Sequence, residues 1–159
     1  MTVELERVRR FIDERGIASE IVTFGGSTES SELAADALSC SVAEIAKSIV
    51  FRGTETYVVI VSGDMRVSTG KLSSAIGSKV RLAPRGEVKD LTGYVAGGVP
   101  PFPHREGVRT LIDISLKRFE RVWTAGGEAN AVFSIPVRKL IELAGGAEVD
   151  ISEQKDGRK

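Results

Sequence analysis

The stretch 48-SIVFRGTETYVVIV-61 decides the fold. Ser48 to Arg52 and Thr56 to Val61 are runs of β-branched and aromatic residues, and Gly53-Thr54-Glu55 between them has the form of a tight turn, so the spacing predicts a β-hairpin. Working outward, the spacing predicts strands over Glu20 to Phe24, Lys79 to Leu82, Val108 to Ile114, Arg121 to Ala125 and Asn130 to Ile135, with Gly25 to Thr28 as a loop. Val3, Leu5, Val8, Phe11 and Ile12 fall at helical spacing, and Gly16 stops that helix where a residue of positive φ is needed. Further helices are predicted over Ser30 to Leu38, Ser68 to Ile76, Glu87 to Thr92, and from Pro136 to Ala144, where Gly145-Gly146 ends the segment. Ser41-Val42-Ala43-Glu44 matches a capping box, which opens a short helix ending at Ala46. Strands in adjacent pairs with helices grouped around them give an α+β domain with a mixed, largely antiparallel sheet. The last residues, 152–159, are polar and read as a frayed tail.

The composition closes several routes to function. A chain of 159 residues with 42% apolar side chains is one domain by default, and it buries roughly 68 to 70% of its unfolded surface without disulfides or metal staples. Cys40 and His104 are the sole cysteine and histidine, so an internal disulfide is excluded and neither residue has a metal-ligand spacing. Any nucleophilic triad has only His104 as its base. The N-terminal segment MTVELERVRRFIDERG lacks the apolar core of a signal peptide, and no window approaches the ~20 apolar residues of a membrane span. The expectation is a soluble cytoplasmic protein with no membrane contact.

Zero net charge conceals an uneven distribution. Residues 1–46 hold 4 basic and 9 acidic side chains, residues 47–118 hold 12 and 6, and residues 119–159 hold 6 and 7. The basic third includes Lys47, Arg52, Arg66, Lys71, Arg85 and Arg109, spread over several elements, so it reads either as solvated surface or as a folded patch facing a polyanion.

The segment 92-TGYVAGGVPPFPH-104 is the most unusual in the chain. Its glycines let the backbone approach a ligand and its prolines fix the exit path, giving a shaped loop. Backbone donors for a carbonyl or an anion have to come from Gly97, Gly98, Val99 or Phe102, because proline has no N–H. The Gly-Lys-Ser/Thr ending of a phosphate-binding P-loop is missing. Lys47 lies where a helix gives way to a strand, so it either neutralises a helix C-terminus or projects an ammonium into a cleft. His104 reads as a loop residue near water, Cys40 as a small core filler, Asp113 as a capping or pairing residue as readily as a functional one, and Trp123 and Phe133 as core.

Three blocks carry a resemblance. Glu44-Ile45-Ala46-Lys47-Ser48-Ile49-Val50-Phe51, Gly93-Tyr94-Val95-Ala96-Gly97-Gly98-Val99-Pro100-Pro101 and Ala125-Gly126-Gly127-Glu128-Ala129-Asn130-Ala131-Val132-Phe133 together resemble the YbaK family of aminoacyl-tRNA deacylases, related to the editing insertion domain of bacterial prolyl-tRNA synthetase. The resemblance implies an editing domain over residues 1–151 with a barrel-like mixed sheet, followed by the polar tail. It implies hydrolysis of the ester of a mischarged tRNA carrying a small amino acid (alanine, serine or cysteine, on the tRNA for proline), acting in trans and without ATP, metal or other cofactor. The family's lysine falls on Lys47. Its GxxxP substrate loop falls on Gly97, Gly98, Val99, Pro100 and Pro101, and Thr28 precedes the helix that borders the pocket. A family position that is often histidine corresponds to Asn130, which hydrogen-bonds but is no base near neutral pH. The implied partners are the aminoacylated 3′ end of tRNA and a prolyl-tRNA synthetase. Two other readings of the same residues are a non-catalytic module that binds tRNA or a synthetase through this cleft, and a thiol enzyme that needs Cys40 and His104 to meet.

Overall fold

The computed structural model describes residues 2–26, 28 and 30–155. The hairpin forms as the sequence predicts: β2 (Ala46–Arg52) pairs antiparallel with β3 (Thr56–Ser62), following a two-residue β1 (Val22–Thr23). In β3 the side chains alternate between two cores. Val58 and Ile60 join the larger one, with Val8, Ile12, Phe133 and Ile135, while Tyr57 and Val59 join the smaller one, with Leu72, Leu111 and Ile151. Burial on both faces is why Thr56–Ser62 reads as a nearly continuous apolar run.

Helix α1 (Val3–Glu14) starts at Thr2, whose hydroxyl accepts from the Leu5 N–H at 3.1 Å, and Gly16 follows it with φ +63°. Helix α2 (Ser31–Leu38) is capped by Ser30 in the same way. Next come β4 (Met65–Val67), α3 (Thr69–Ile76) capped by Ser68, β5 (Arg81–Leu82) and α4 (Val88–Thr92). The chain continues through β6 (Val108–Asp113), β7 (Arg121–Ala125), β8 (Ala131–Pro136), α5 (Val137–Leu143), β9 (Glu148–Val149) and β10 (Ser152–Gln154).

The strands make a five-stranded mixed sheet in the order β5-β2-β3-β6-β9, an antiparallel sheet β1-β8-β7 and the pair β10-β4. A parallel bridge from Ile45 to Trp123 joins the first two sheets, and the strands do not form a closed barrel. None of the described helices is long and apolar enough to cross a membrane.

Two local expectations are corrected. The capping box at Ser41 and Glu44 forms, but it opens only a 3₁₀ turn over Val42–Glu44, and the strand begins at Ala46. Lys47 is therefore a strand residue, not a helix end, because pairing with Val61 outcompetes a single helical turn. The C-terminal segment forms a strand: Ser152, Glu153 and Gln154 pair with Val67, Arg66 and Met65, and residues 156–159 of the expected tail lie outside the described residues. Polar composition concealed this strand.

Candidate active site

A cavity of about 510 Å³ opens along one edge of β2. Among the described residues no strand pairs with the middle of that edge. The Ile45 bridge to Trp123 holds one end of β2, β5 pairs only with Phe51 and Arg52 at the other, and Ala46 to Val50 between them line the cavity. The facing walls are the start of α2, the loop carrying Gly97 and Val99, and β7 with Trp123 and Thr124.

Lys47 enters this cavity from the strand, half-buried. Burial pushes its ammonium pKa below the ordinary lysine value, and the positive charge of Lys155 lowers it further, while Glu32 and Asp64 pull it back up. Among the described residues no carboxylate closes an ion pair on it. A partly desolvated ammonium with no ion-pair partner among the described residues can receive an anionic or strongly polar ligand.

The glycine loop meets the cavity at Gly97, with φ +87°, and at Val99. Gly98 stands behind the wall. Its N–H donates to the Val95 carbonyl at 2.9 Å, and its carbonyl accepts from the Gly127 N–H at 3.0 Å. Gly98 is thus removed from the set of backbone donors and fixes the loop to the turn before β8. Pro101 is also set back, buried, with its carbonyl accepting from the Thr110 hydroxyl at 3.3 Å.

Thr28 lines the cavity and is 7% exposed. Its N–H and its hydroxyl both donate to the Ala129 carbonyl, at 2.7 and 3.1 Å. Asn130 does not reach the cavity. Its Nδ2 donates to the Phe24 carbonyl at 2.7 Å while the Phe24 N–H donates to its carbonyl at 2.9 Å. Asn130 therefore holds the segment that delivers Thr28.

Cys40 and His104 do not meet. Cys40 packs beside Ala34, Ala35 and Ile45, and burial pushes its thiol pKa up. His104 is a partly exposed loop residue, as its sequence context predicts: its Nε2–H donates to the Pro100 carbonyl at 2.6 Å, its ring packs edge-on to Tyr94, and desolvation lowers its pKa to about 4. Asp113 is 0% exposed, and its carboxylate accepts from the N–H groups of Ser115 and Ile151, both at 2.9 Å. It is a structural hub away from the cavity. Phe133 is core, as its sequence context predicts, whereas Trp123 is half-buried and forms part of the cavity wall.

Half of the basic residues of the middle third are held in ion pairs. Arg52, Arg66, Lys71, Arg109, Lys117 and Arg118 each pair with a carboxylate, respectively of Glu87, Glu153, Asp150, Glu55, Glu148 and Asp64. Glu148, Asp150 and Glu153 come from the C-terminal third and Glu55, Asp64 and Glu87 from the basic third itself, while Lys47 and Arg85 line the cavity together with Lys155.

Residues 7–143 match the family of aminoacyl-tRNA editing domains. The chain belongs to that family. It is 31% identical to the uncharacterized protein YwhH of Bacillus subtilis over 89% of its own length and 92% of that protein. It is 26% identical to the multifunctional Ser/Thr-tRNA deacylase ProXp-y of Escherichia coli, over 76% of each chain. A solved structure of a candidate trans-editing enzyme for prolyl-tRNA synthetase superposes with a TM-score of 0.88 at 34% identity, covering 96% of this chain and 99% of that one.

Within the editing domain, the sequence reading brings Thr28, Lys47, Gly97 and Val99 to one cavity and assigns to it Gly98, Pro101 and Asn130, which support it from behind. It misses Trp123 and Lys155. Trp123 carries no signal distinguishing it from core, since a half-buried tryptophan on a strand fits either place. Lys155 sits in a segment whose composition resembles a tail.

Proposed function

We propose that this editing domain is an aminoacyl-tRNA deacylase acting in trans in the cytoplasm, removing a small amino acid of the alanine, serine or cysteine type from a mischarged tRNA, with the tRNA for proline as carrier and a prolyl-tRNA synthetase as the enzyme whose errors it clears. The observation that carries this reading is that Lys47 and the Gly97–Val99 loop line one cavity.

An aminoacyl ester is already activated, so the site has to position groups rather than supply a strong nucleophile. The oxygen of a water adds to the ester carbonyl carbon as the carbonyl oxygen takes up negative charge, the bond to the ribose oxygen then breaks, and the proton given up by the water ends on that ribose oxygen, leaving the free amino acid and the ribose hydroxyl. Gly97 and Val99 are the loop residues placed to stabilise the oxyanion through backbone N–H groups, a contribution of about 3 to 4 kcal/mol per donor in other enzymes. Lys47 holds the terminal phosphate or ribose as a point charge and so orients the ester. Thr28, Ala96 and Trp123 bound the space for the side chain, and exclusion of a large residue by these walls is more selective than acceptance of a small one, since one methylene is worth about 1 to 3 kcal/mol.

The test is deacylation of tRNAs charged with alanine, serine, cysteine or proline, with Lys47→Ala beside the wild type. Hydrolysis of at least one small-residue species above the buffer rate, lost in Lys47→Ala, supports the reading. No hydrolysis of any species, or an activity lost in Cys40→Ala and kept in Lys47→Ala, overturns it.

A further inference from the structure

Lys155 comes to the cavity from the far end of the chain. Strand β10 pairs with β4, the Ile151 carbonyl accepts from the Ser68 N–H at 2.8 Å, the Ile151 N–H donates to buried Asp113, and Lys71 donates to the Ser152 carbonyl at 2.9 Å. Anchored by these contacts, the next residue places its ammonium 2.9 Å from a Glu32 carboxylate oxygen and 3.4 Å from the Gly63 carbonyl, and it lines the same cavity as Lys47. The approach of this corner is tight: a Cβ on Gly63 would fall 2.3 Å from the Val42 carbonyl oxygen and 2.9 Å from Ser31. The turn carrying the Gly63 acceptor is therefore pressed against the start of α2, which carries Glu32.

The pair itself is weak. Its side chains are 45% and 59% exposed, and ion pairs in such positions contribute little to stability. Among the described residues, Glu32 is the carboxylate that lines the cavity with Lys47 and Lys155, paired with Lys155 and acting on Lys47 through its charge. A multivalent anion that reached both ammonium groups would replace Glu32 at little cost to the fold.

We propose that Lys155 is a second phosphate-binding residue of the editing cavity, holding a phosphodiester near the 3′ end of the RNA after exchanging it for Glu32. The inference rests on the proposed deacylase reading for the identity of the ligand. Lys155 binds and positions, while the reacting ester stays with Lys47 and the glycine loop. Glu32 acts as an internal occupant that keeps Lys155 extended in the absence of RNA.

The experiment measures binding of the full-length protein to a short RNA hairpin ending in an unpaired CCA, by fluorescence anisotropy over a series of salt concentrations, for the wild type, Lys155→Gln, Glu32→Gln and the remote surface control Lys139→Gln. Lys155→Gln is expected to weaken binding about 3- to 10-fold and to lower the slope of log K against log salt by about 0.7, the contribution of one phosphate on single-stranded RNA. Glu32→Gln is expected to tighten binding, and Lys139→Gln to leave it unchanged. Both cavity variants break the same ion pair, so a merely structural role moves them in the same direction and overturns the inference, as does an unchanged slope in Lys155→Gln. Failure of the wild type to bind the hairpin in a salt-dependent way also overturns it. On tRNAs charged with alanine or serine, Lys155→Gln is expected to raise KM with kcat within about 2-fold. Salt-dependent hairpin binding that responds to Lys155 without deacylation of any charged tRNA sinks the enzymatic reading alone, while deacylation indifferent to Lys155 sinks the inference alone.

Discussion

Gly98 lies directly against the backbone of Glu128: a Cβ at position 98 would sit 2.9 Å from both the Cα and the carbonyl carbon of Glu128 and 3.0 Å from its nitrogen. These are backbone atoms in the turn between β7 and β8, which also donates the Gly127 N–H to the Gly98 carbonyl. The contact sets how closely the glycine loop approaches this turn, so the glycine is required for packing and not for a backbone donor.

Gly98→Ala is accordingly expected to push the loop away from the turn. Overpacking of this kind costs about 1 to 3 kcal/mol, and the loss of loop position removes most of the deacylation rate. Thermal unfolding together with kcat/KM checks both. A variant that keeps wild-type activity would show that the loop position does not matter.

The depressed pKa of Lys47 gives opposite predictions for stability and function. Its folded-state pKa lies below its unfolded value, so at neutral pH the charged form carries a burial penalty in the folded protein. That penalty is fully present below the folded pKa and is relieved as the pH rises from there towards 10.5. Lys47→Met is therefore expected to be at least as stable as the wild type at pH 7 while losing hydrolysis. The wild-type rate, above the base-catalysed background, is expected to fall on the alkaline side before an ordinary lysine would titrate. Calorimetry and a pH–rate profile read the two effects.

His104 is the sole histidine, so its imidazole resonance is unambiguous. Its pKa is lowered from 6.5 to about 4 by burial, against the opposing hydrogen bond to the Pro100 carbonyl. The resulting stability is fully present above pH 6.5, falls as the pH drops from 6.5 towards 4, and amounts to roughly 1 to 3 kcal/mol. In His104→Gln this part of the pH dependence disappears, while deacylation at pH 7 stays close to that of the wild type. Proton NMR showing the ring titrating near 6.5 would contradict the lowered pKa.

Removing the Asp113 carboxylate strips acceptors from two N–H groups in the interior, those of Ser115 and Ile151. Asp113→Ala is expected to destabilise by about 2 to 4 kcal/mol, since each orphaned donor costs about 1 to 3 kcal/mol. It also frees the segment that carries Lys155. Hydrogen exchange at Ile151 and Ser152, faster in the variant than at the β2–β3 hairpin, is the matching local signature.

The sequence by itself determined those parts of the protein that depend on neighbouring residues. The β2–β3 hairpin follows from two β-branched runs around Gly53. The start of α2 at Ser30 follows from a hydroxyl cap, and the exit of α1 at Gly16 follows from its positive φ. The family is legible as well, because its three blocks contain the local chemistry of the strand, the loop and the turn. Tertiary structure decided what each block does. Strand pairing placed Lys47 on the edge of β2 that lines the cavity and brought Lys155 to Glu32 across 123 residues of chain. The approach of Glu128 made Gly98 a packing residue, and the carbonyl of Phe24 turned Asn130 into a brace. Each of these outcomes depends on contacts between residues far apart in the chain, which local periodicity and turn chemistry do not encode.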